Sequence, residues 1–314
     1  MKSHPILTAA LITIGALGGT TGVMAPWVTC AADAKPPTAP AVAKAPPLAP
    51  APLPAAPAAK PAPPPPANPL DTLRVARERL VASGVRSIKS RIVERVSIDG
   101  RRFRLEGTYV QSTDLRLKLD FKLHSEEGEQ GLEGTFLEVC DGTILWTRHN
   151  VGGQTRVTRR NVRQILEASK NGLQTNLLAV ELGLGGLPAL LASLERSMKF
   201  EAITQEEVNR KKFTVIAGTW NDSMKEIFKS STGNRPSSHI PDSIRIYFEP
   251  VILFPRRIDF LKKRKGSDEP EVVVEQDFLD IVINSPVNDH HFEFEPPSGI
   301  RTLDVTNDYL KQLK

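Results

Sequence analysis

Asp289-His290-His291 brings together three side chains of metal-ligating type. A metal site needs several such groups converging on one point, and neighbouring side chains on a strand point to opposite faces. Nothing nearby has ligand spacing, so no metal or other cofactor is expected. Residues 183–188, Gly-Leu-Gly-Gly-Leu-Pro, look superficially like a phosphate loop. No Lys-Ser/Thr pair follows, and Pro188 occupies a helix start, so this run reads as the break and restart of a helix. Cys140 is the one cysteine beyond the N-terminal region. It lies on a strand beside a tight turn with no histidine in a nucleophile motif, and it reads as a small buried residue. Glu126 and Glu127 sit in a charged turn and read as a solvated face. His-Glu-x-x-His and Gly-x-Ser-x-Gly are both absent. The residues give no positive argument for catalysis, and the expectation is a protein that is not an enzyme.

The elements that would carry these residues are mostly strands. Asp71 can cap a helix through about Ser83, with Leu73, Ala76, Leu80 and Val81 on one face, and Gly84 stops it. Residues 85–98 are rich in Val and Ile, and Asp99-Gly100 is a hairpin signal. Phe103, Leu105, Gly107 and Tyr109 alternate on the next strand. From Leu115 to Leu123 the alternation is unbroken. Leu115, Leu117, Leu119, Phe121 and Leu123 share one face, while Arg116, Lys118, Asp120 and Lys122 share the other. Such a strand has one dry and one wet side. A turn from Ser125 to Gln130 leads to a strand over 132–140. Asp141-Gly142 turns it into 143–148, and Gly152-Gly153 turns into a strand ending near Arg159.

Helical spacing follows over 161–182 and 187–198, with Val162, Ile165, Leu166, Leu177, Leu178, Leu187, Leu190, Leu191 and Leu194. Strands are expected again at 199–205, 211–220, 243–249, 256–263 and 271–283. Residues 221–241 read as a polar loop. A last strand is expected at His291–Glu295, stopped by Pro296-Pro297, and a terminal helix at 306–313. No solenoid-length repeat is present. A meander with one apolar face needs a cover, and the helices are the obvious one. Behind them the interior could be packed solid or could leave a cavity.

The charge is unevenly spread. The 314 residues carry a formal net charge of +5, yet residues 70–314 hold 37 basic and 35 acidic residues. Clustered cationic excess is therefore missing from the body, and a nucleic-acid partner is not expected. Two cysteines exclude a disulfide scaffold, and a single long apolar stretch excludes a multi-span membrane protein. That stretch runs from Pro5 to Val28 after Lys2. With Ala32-Asp33-Ala34 it makes residues 1–34 a signal peptide or an N-terminal anchor. Three fates remain open: cleaved export, a retained inner-membrane anchor, and lipidation at Cys30. Each puts the body outside the cytoplasm, in the periplasm. Residues 35–69 contain 15 of the 26 prolines and 12 alanines. Proline fixes φ and lacks a donor, so this is a disordered, extended linker of on the order of 110 Å at ~3.1 Å per residue. Residues 70–314 then form one domain.

Three motifs in order carry a family resemblance. Glu106-Gly107-Thr108-Tyr109 precedes the alternating strand. Leu137-Glu138-Val139-Cys140-Asp141-Gly142-Thr143-Ile144-Leu145-Trp146 follows it. His291-Phe292-Glu293-Phe294-Glu295-Pro296-Pro297-Ser298-Gly299-Ile300 closes the chain. The region 70–314 resembles the LolA-like family of outer-membrane lipoprotein carriers and lipoprotein-sorting proteins. The resemblance implies an α+β fold, a strongly curved antiparallel sheet forming an incomplete barrel, covered by helices. It also implies non-covalent holding of lipid or lipoprotein acyl chains between barrel wall and helical lid. On that reading Leu117, Leu119 and Phe121 are wall residues, Trp146 is the family's hairpin aromatic, and Leu178, Leu187 and Leu191 belong to the lid. The carrier's lid latch, a basic residue followed by proline before the alternating strand, is replaced here by Gln111-Ser112-Thr113-Asp114. Implied partners are acyl chains and membrane-associated envelope proteins. The alternative is a tethered periplasmic interaction scaffold with the same fold and a filled interior.

Overall fold

The computed structural model describes residues 68–82, 84–98, 101–125, 133–169, 186–231, 241–263 and 269–312. The expected signal or anchor at 1–34 and the linker up to residue 67 lie outside the described residues. So does Leu178, with the rest of 170–185.

The first helix, α1, spans Pro69–Val81. Its cap is Asn68 rather than Asp71: the Asn68 side chain accepts from the Leu70 N–H at 2.9 Å. Pro69 then starts the helix, where its missing N–H costs nothing, and Asp71 falls in the first turn. Thr72, Leu73, Ala76 and Leu80 form its buried stripe.

Six strands follow as a meander: β1 (Ser87–Ile98), β2 (Arg101–Ser112), β3 (Arg116–Ser125), β4 (Gly134–Asp141), β5 (Ile144–Val151) and β6 (Gln154–Asn161). The alternation on β3 holds, with Leu117, Leu119, Phe121 and Leu123 buried. It begins one residue later than its pattern suggests. Asp114 and Leu115 have φ of 61° and 65°, so Leu115 belongs to the β2–β3 turn and not to the strand face. Helices α2 (Val162–Ser169) and α3 (Gly186–Ser197) come next. A second meander runs through β7 (Met198–Val208), β8 (Lys211–Trp220), β9 (Ser243–Phe248), β10 (Pro255–Lys263) and β11 (Pro270–Ile283). Helix α4 (Asp222–Ser231) stands where a loop is expected. Asn221 caps it, accepting from the Met224 N–H at 3.0 Å, and Met224 is buried.

With a short last strand, β12 (Thr302–Asp304), the described strands form one sheet in the order β12-β6-β5-β4-β3-β2-β1-β11-β10-β9-β8-β7. β1 and β11 join the two meanders at the middle. Bulges interrupt the register at Lys89/Arg91, Pro255/Arg257, Phe260/Leu261 and Phe200/Ala202, and bulges bend strands. Gly107 marks a further close approach, since a Cβ there would lie 2.0 Å from the Asp120 carbonyl oxygen. Inward side chains from both meanders, such as Leu145 of β5 and Ile216 of β8, belong to one hydrophobic core. The sheet is curved and open: an incomplete barrel. The chain leaves it at β6, next to the β12 edge, and re-enters at the opposite edge, β7. The intervening helices are thereby placed over the concave side.

The closing segment corrects two expectations. Residues 291–295 are not a strand. Asp289–Phe292 is a short 3-10 turn within an extended strap across the convex face of β1–β6. Ser87 donates to the Ser285 carbonyl at 2.6 Å, Lys89 to the Pro286 carbonyl at 3.0 Å, and Arg116 pairs with Asp289. Phe292 packs with Val110, Leu137 and Val139. The strap ends in β12 (Thr302–Asp304), which pairs parallel to β6, so the sheet is not purely antiparallel. Helix α5 (Thr306–Gln312) then turns over the edge, capped by Asp304, which accepts from the Thr306 N–H at 3.0 Å.

Candidate functional site

Antiparallel register fixes which side chains share the concave wall, because directly paired residues point the same way. Leu117 pairs with Cys140 and Gln111, Leu119 with Glu138 and Tyr109, and Phe121 with Phe136 and Gly107. The wall continues through Ile88, Ile92 and Val96 of β1 to Phe278 of β11, Ile258 of β10 and Ile246 of β9. All of these apolar residues except half-buried Phe136 are buried, and each contributes ~1.5–3 kcal/mol through burial.

The cover is made of Leu73, Ala76 and Leu80 from α1, Val162 and Ile165 from α2, and Leu187, Leu190, Leu191 and Leu194 from α3. Few polar contacts hold it. Glu195 of α3 meets Arg74 at 3.4 Å and Arg77 at 3.1 Å, tying α3 to α1. At the other end of α3, the Leu187 N–H donates to the Tyr109 hydroxyl at 2.8 Å, and that hydroxyl donates to Gln111 Oε1. Gly186 sits directly over the pair with φ 56°, and a Cβ on it would lie 2.3 Å from both oxygens. Burial raises the Tyr109 pKa well above its usual range despite the Leu187 hydrogen bond, so the phenol stays neutral. Tyr109 and Gln111 therefore tie the lid to the wall, Gln111 being the first residue of the 111–114 stretch that stands in place of the carriers' basic-proline pair.

Polar groups interrupt the wall in two places. At the β4–β6 end, Glu138 meets Arg160 at 3.4 Å and accepts from the Thr147 hydroxyl at 3.1 Å, while Arg160 donates to the Tyr309 hydroxyl at 3.1 Å. Burial raises the Glu138 pKa, against the pull of Arg160. His149, packed edge-on against Phe136 at 4.8 Å, is pushed down to about 4, first by burial and then by Arg156 and Arg160. Cys140 is pushed up to about 11, chiefly by burial. The second place is the centre of the sheet, where Glu94 of β1 pairs with Gln276 of β11. They are 1% and 0% exposed.

Of the residues singled out from sequence, Leu117, Leu119, Phe121, Leu187 and Leu191 lie in one core on the concave side. Trp146 does not join them. It pairs with Val139 on the convex face, half-buried, 5.4 Å from Phe294 and beneath Arg159. Leu145 takes the inward place, because successive strand residues alternate faces. Glu94, Arg160 and Gln276 belong to no sequence motif, and Glu138 stands inside the Leu137–Trp146 motif. Each occupies an inward position among apolar neighbours, and that is a signal period two could have given. Asp289, His290 and His291 line no common site: His290 meets Glu293 at 2.8 Å and His291 meets Asn288. Among the described residues no three His, Cys, Asp or Glu side chains converge as a metal site requires, and no helix is long and apolar enough to cross a membrane.

No family model matches the chain, and no curated protein matches it by sequence. Several solved structures are similar in fold. The MucA/MucB complex from Pseudomonas aeruginosa is 13% identical with a TM-score of 0.32, covering 72% of this chain and 61% of that one. LprF from Mycobacterium bovis is 11% identical with a TM-score of 0.35, covering 72% and 97%. A LolA superfamily protein from Nitrosomonas europaea is 11% identical with a TM-score of 0.24, covering 71% and 96%. The chain spans 56–62% of the MucB chains to which it is similar. The fold is an open, helix-covered half-barrel. That description rests on the strand order and register of this chain and not on those scores.

Proposed function

We propose that this chain is an exported, non-enzymatic binder of lipid or lipoprotein acyl chains in a bacterial envelope, acting in the periplasm. One observation carries the reading. A broad apolar wall is covered by short helices that are attached to it and to each other by a handful of side-chain contacts. Acyl chains gain about 0.8 kcal/mol per buried methylene, so displacing such a cover needs no catalytic group. Opening would expose Leu117, Leu119 and Phe121 on one side and Leu187 and Leu191 on the other.

A second reading is favoured by the close packing of the same residues. The described wall residues are buried beneath the cover, which supports a tethered interaction scaffold that recognises a membrane-associated envelope protein. Gentle purification of the full chain, a native mass spectrum and organic extraction separate the two. Stoichiometric extra mass that extracts as lipid supports the binder. A clean mass, with no uptake of added acyl lipid, refutes it in favour of the scaffold.

A further inference from the structure

We propose that Gln276 is a recognition point for a polar group that both donates and accepts a hydrogen bond: a hydroxyl or a secondary amide near the head of a bound acyl chain. The proposal deepens the acyl-binding reading and rests on it.

The argument begins with the β11 sequence. Val274, Gln276 and Phe278 alternate onto the concave face, where Gln276 stands opposite Ile258 of β10 and Glu94 of β1. An apolar residue would suit that position. Instead an amide is placed there, 0% exposed, and neither its Oε1 nor its Nε2 has a hydrogen-bond partner. A buried polar group is normally paired, and leaving one unpaired costs free energy that a leucine of similar size would avoid. A ligand arriving on the wall relieves that cost if it supplies both a donor and an acceptor.

This requirement narrows the ligand class. An ester carbonyl only accepts, so it pairs Nε2 and leaves Oε1 orphaned. A free fatty carboxylate also only accepts, so it too pairs Nε2 and leaves Oε1 orphaned. A neutral hydroxyl or an N-acyl amide supplies both functions. The neighbours Ile92, Phe278 and Ile258 are apolar and would hold the adjoining chain. Sites built to hydrogen-bond a hydroxyl discriminate strongly against the analogue that lacks it.

The test uses the full chain, stripped of lipid, and two neutral probes differing in one group: methyl 3-hydroxytetradecanoate and methyl tetradecanoate. Calorimetric titration is expected to give about tenfold tighter binding of the hydroxylated ester, a difference of about 1.4 kcal/mol. In Gln276→Leu the plain ester should bind within about twofold of wild type, and the preference should vanish. Gln276→Met serves the same purpose if the leucine variant does not fold, and the wild-type comparison needs no variant. Equal affinity of wild type for both probes overturns the proposal and leaves the acyl-binding reading intact. A preference that survives in the variant also overturns it. Failure of wild type to bind either probe overturns both readings together.

Discussion

Replacing Tyr109 by phenylalanine removes one oxygen from the point where the lid meets the wall. Two hydrogen bonds go with it: Leu187 N–H loses its acceptor and Gln111 loses its donor. Gln111 is half-buried and can turn to water, so its loss counts for little. The Leu187 N–H belongs to the first turn of α3, where no carbonyl of the helix itself can serve it. A buried donor left unpaired costs about 1–3 kcal/mol. The absent phenol no longer has to be desolvated, which offsets part of this, so the net cost is about 1–1.5 kcal/mol. At about 1.4 kcal/mol per factor of ten, the open state of α3 becomes roughly tenfold more populated.

Amide hydrogen exchange reads this segment by segment. Protection of Leu190, Leu191 and Leu194 in α3 should fall about tenfold in Tyr109→Phe, while Leu119 and Phe121 in β3 keep theirs. Gly186→Ala should act in the same direction and more strongly, since its Cβ meets the Tyr109 and Gln111 oxygens and its φ is positive. Unchanged protection in α3 would mean that the hydroxyl is not a latch. Equal loss in β3 would mean that lid and wall open as one unit, and the separable cover would have to be abandoned.

Two further outcomes follow from the convex face and from the polar end of the wall. Phe292→Ala should cost about 3–5 kcal/mol, because it empties the buried anchor of the strap; a urea midpoint lowered by less than 1 kcal/mol equivalent would mean the strap is not held by that side chain. His149, with an unfolded pKa near 6.5 and a folded value of about 4, binds its proton more readily when the chain is unfolded. Its stabilising contribution is therefore complete above pH 6.5 and is lost as pH falls towards 4, by on the order of 3 kcal/mol at most. Urea titrations at pH 7 and pH 4.5 should differ less in His149→Phe than in wild type, and an unchanged difference would exclude His149 as the source.

How much of this was legible depends on whether a pattern had one physical meaning. On β3, five residues of strict alternation can only be a half-buried strand, and the structure moves only its first residue, because left-handed φ at Asp114 and Leu115 forms the turn. Asp141-Gly142 was equally plain: the Asp141 carboxylate accepts from the Thr143 and Ile144 N–H groups at 2.7 and 2.8 Å, with Gly142 at φ 98°. His291–Glu295 had two meanings. Phe292 and Phe294 alternate as a strand would, but they also alternate along an extended strap, and nothing local says that no ladder is present. The family resemblance places Trp146 with the ligand-holding residues, whereas its parity with inward Leu145 puts it outside. β12 is three residues long and too short for any period. Helix α4 was hidden by the serine- and proline-rich stretch beyond it, although Asn221-Asp222 is an ordinary helix start.

The two faces of the sheet obey different rules. On the convex side of β1–β6 the covering strap is continuous with β11 and is fixed at both ends by the sheet: Asn284 follows Ile283 of β11 and donates to the Gly84 carbonyl, and β12 pairs with β6. Lifting the strap would break main-chain pairing as well as the Phe292 contacts. Farther along, the convex side is closed by charge: Arg95 bridges Glu275 and Asp277, and Arg257 bridges Asp259 and Glu275. On the concave side α1 and the body of α3 meet the wall through side chains and the Leu187 N–H, while main-chain bonds tie the cover at its joints with the sheet, from Val162 N–H to the Thr143 carbonyl and from Asn221 N–H to the Ser197 carbonyl. A cover held by side chains can leave at the cost of exposing apolar surface, and an acyl chain returns that cost by covering the same surface. Any ligand exchange is thus directed to the concave side. On the acyl-binding proposal the residues that would govern it are Tyr109 and Glu195 at the edges of the lid, with Gln276 beneath it.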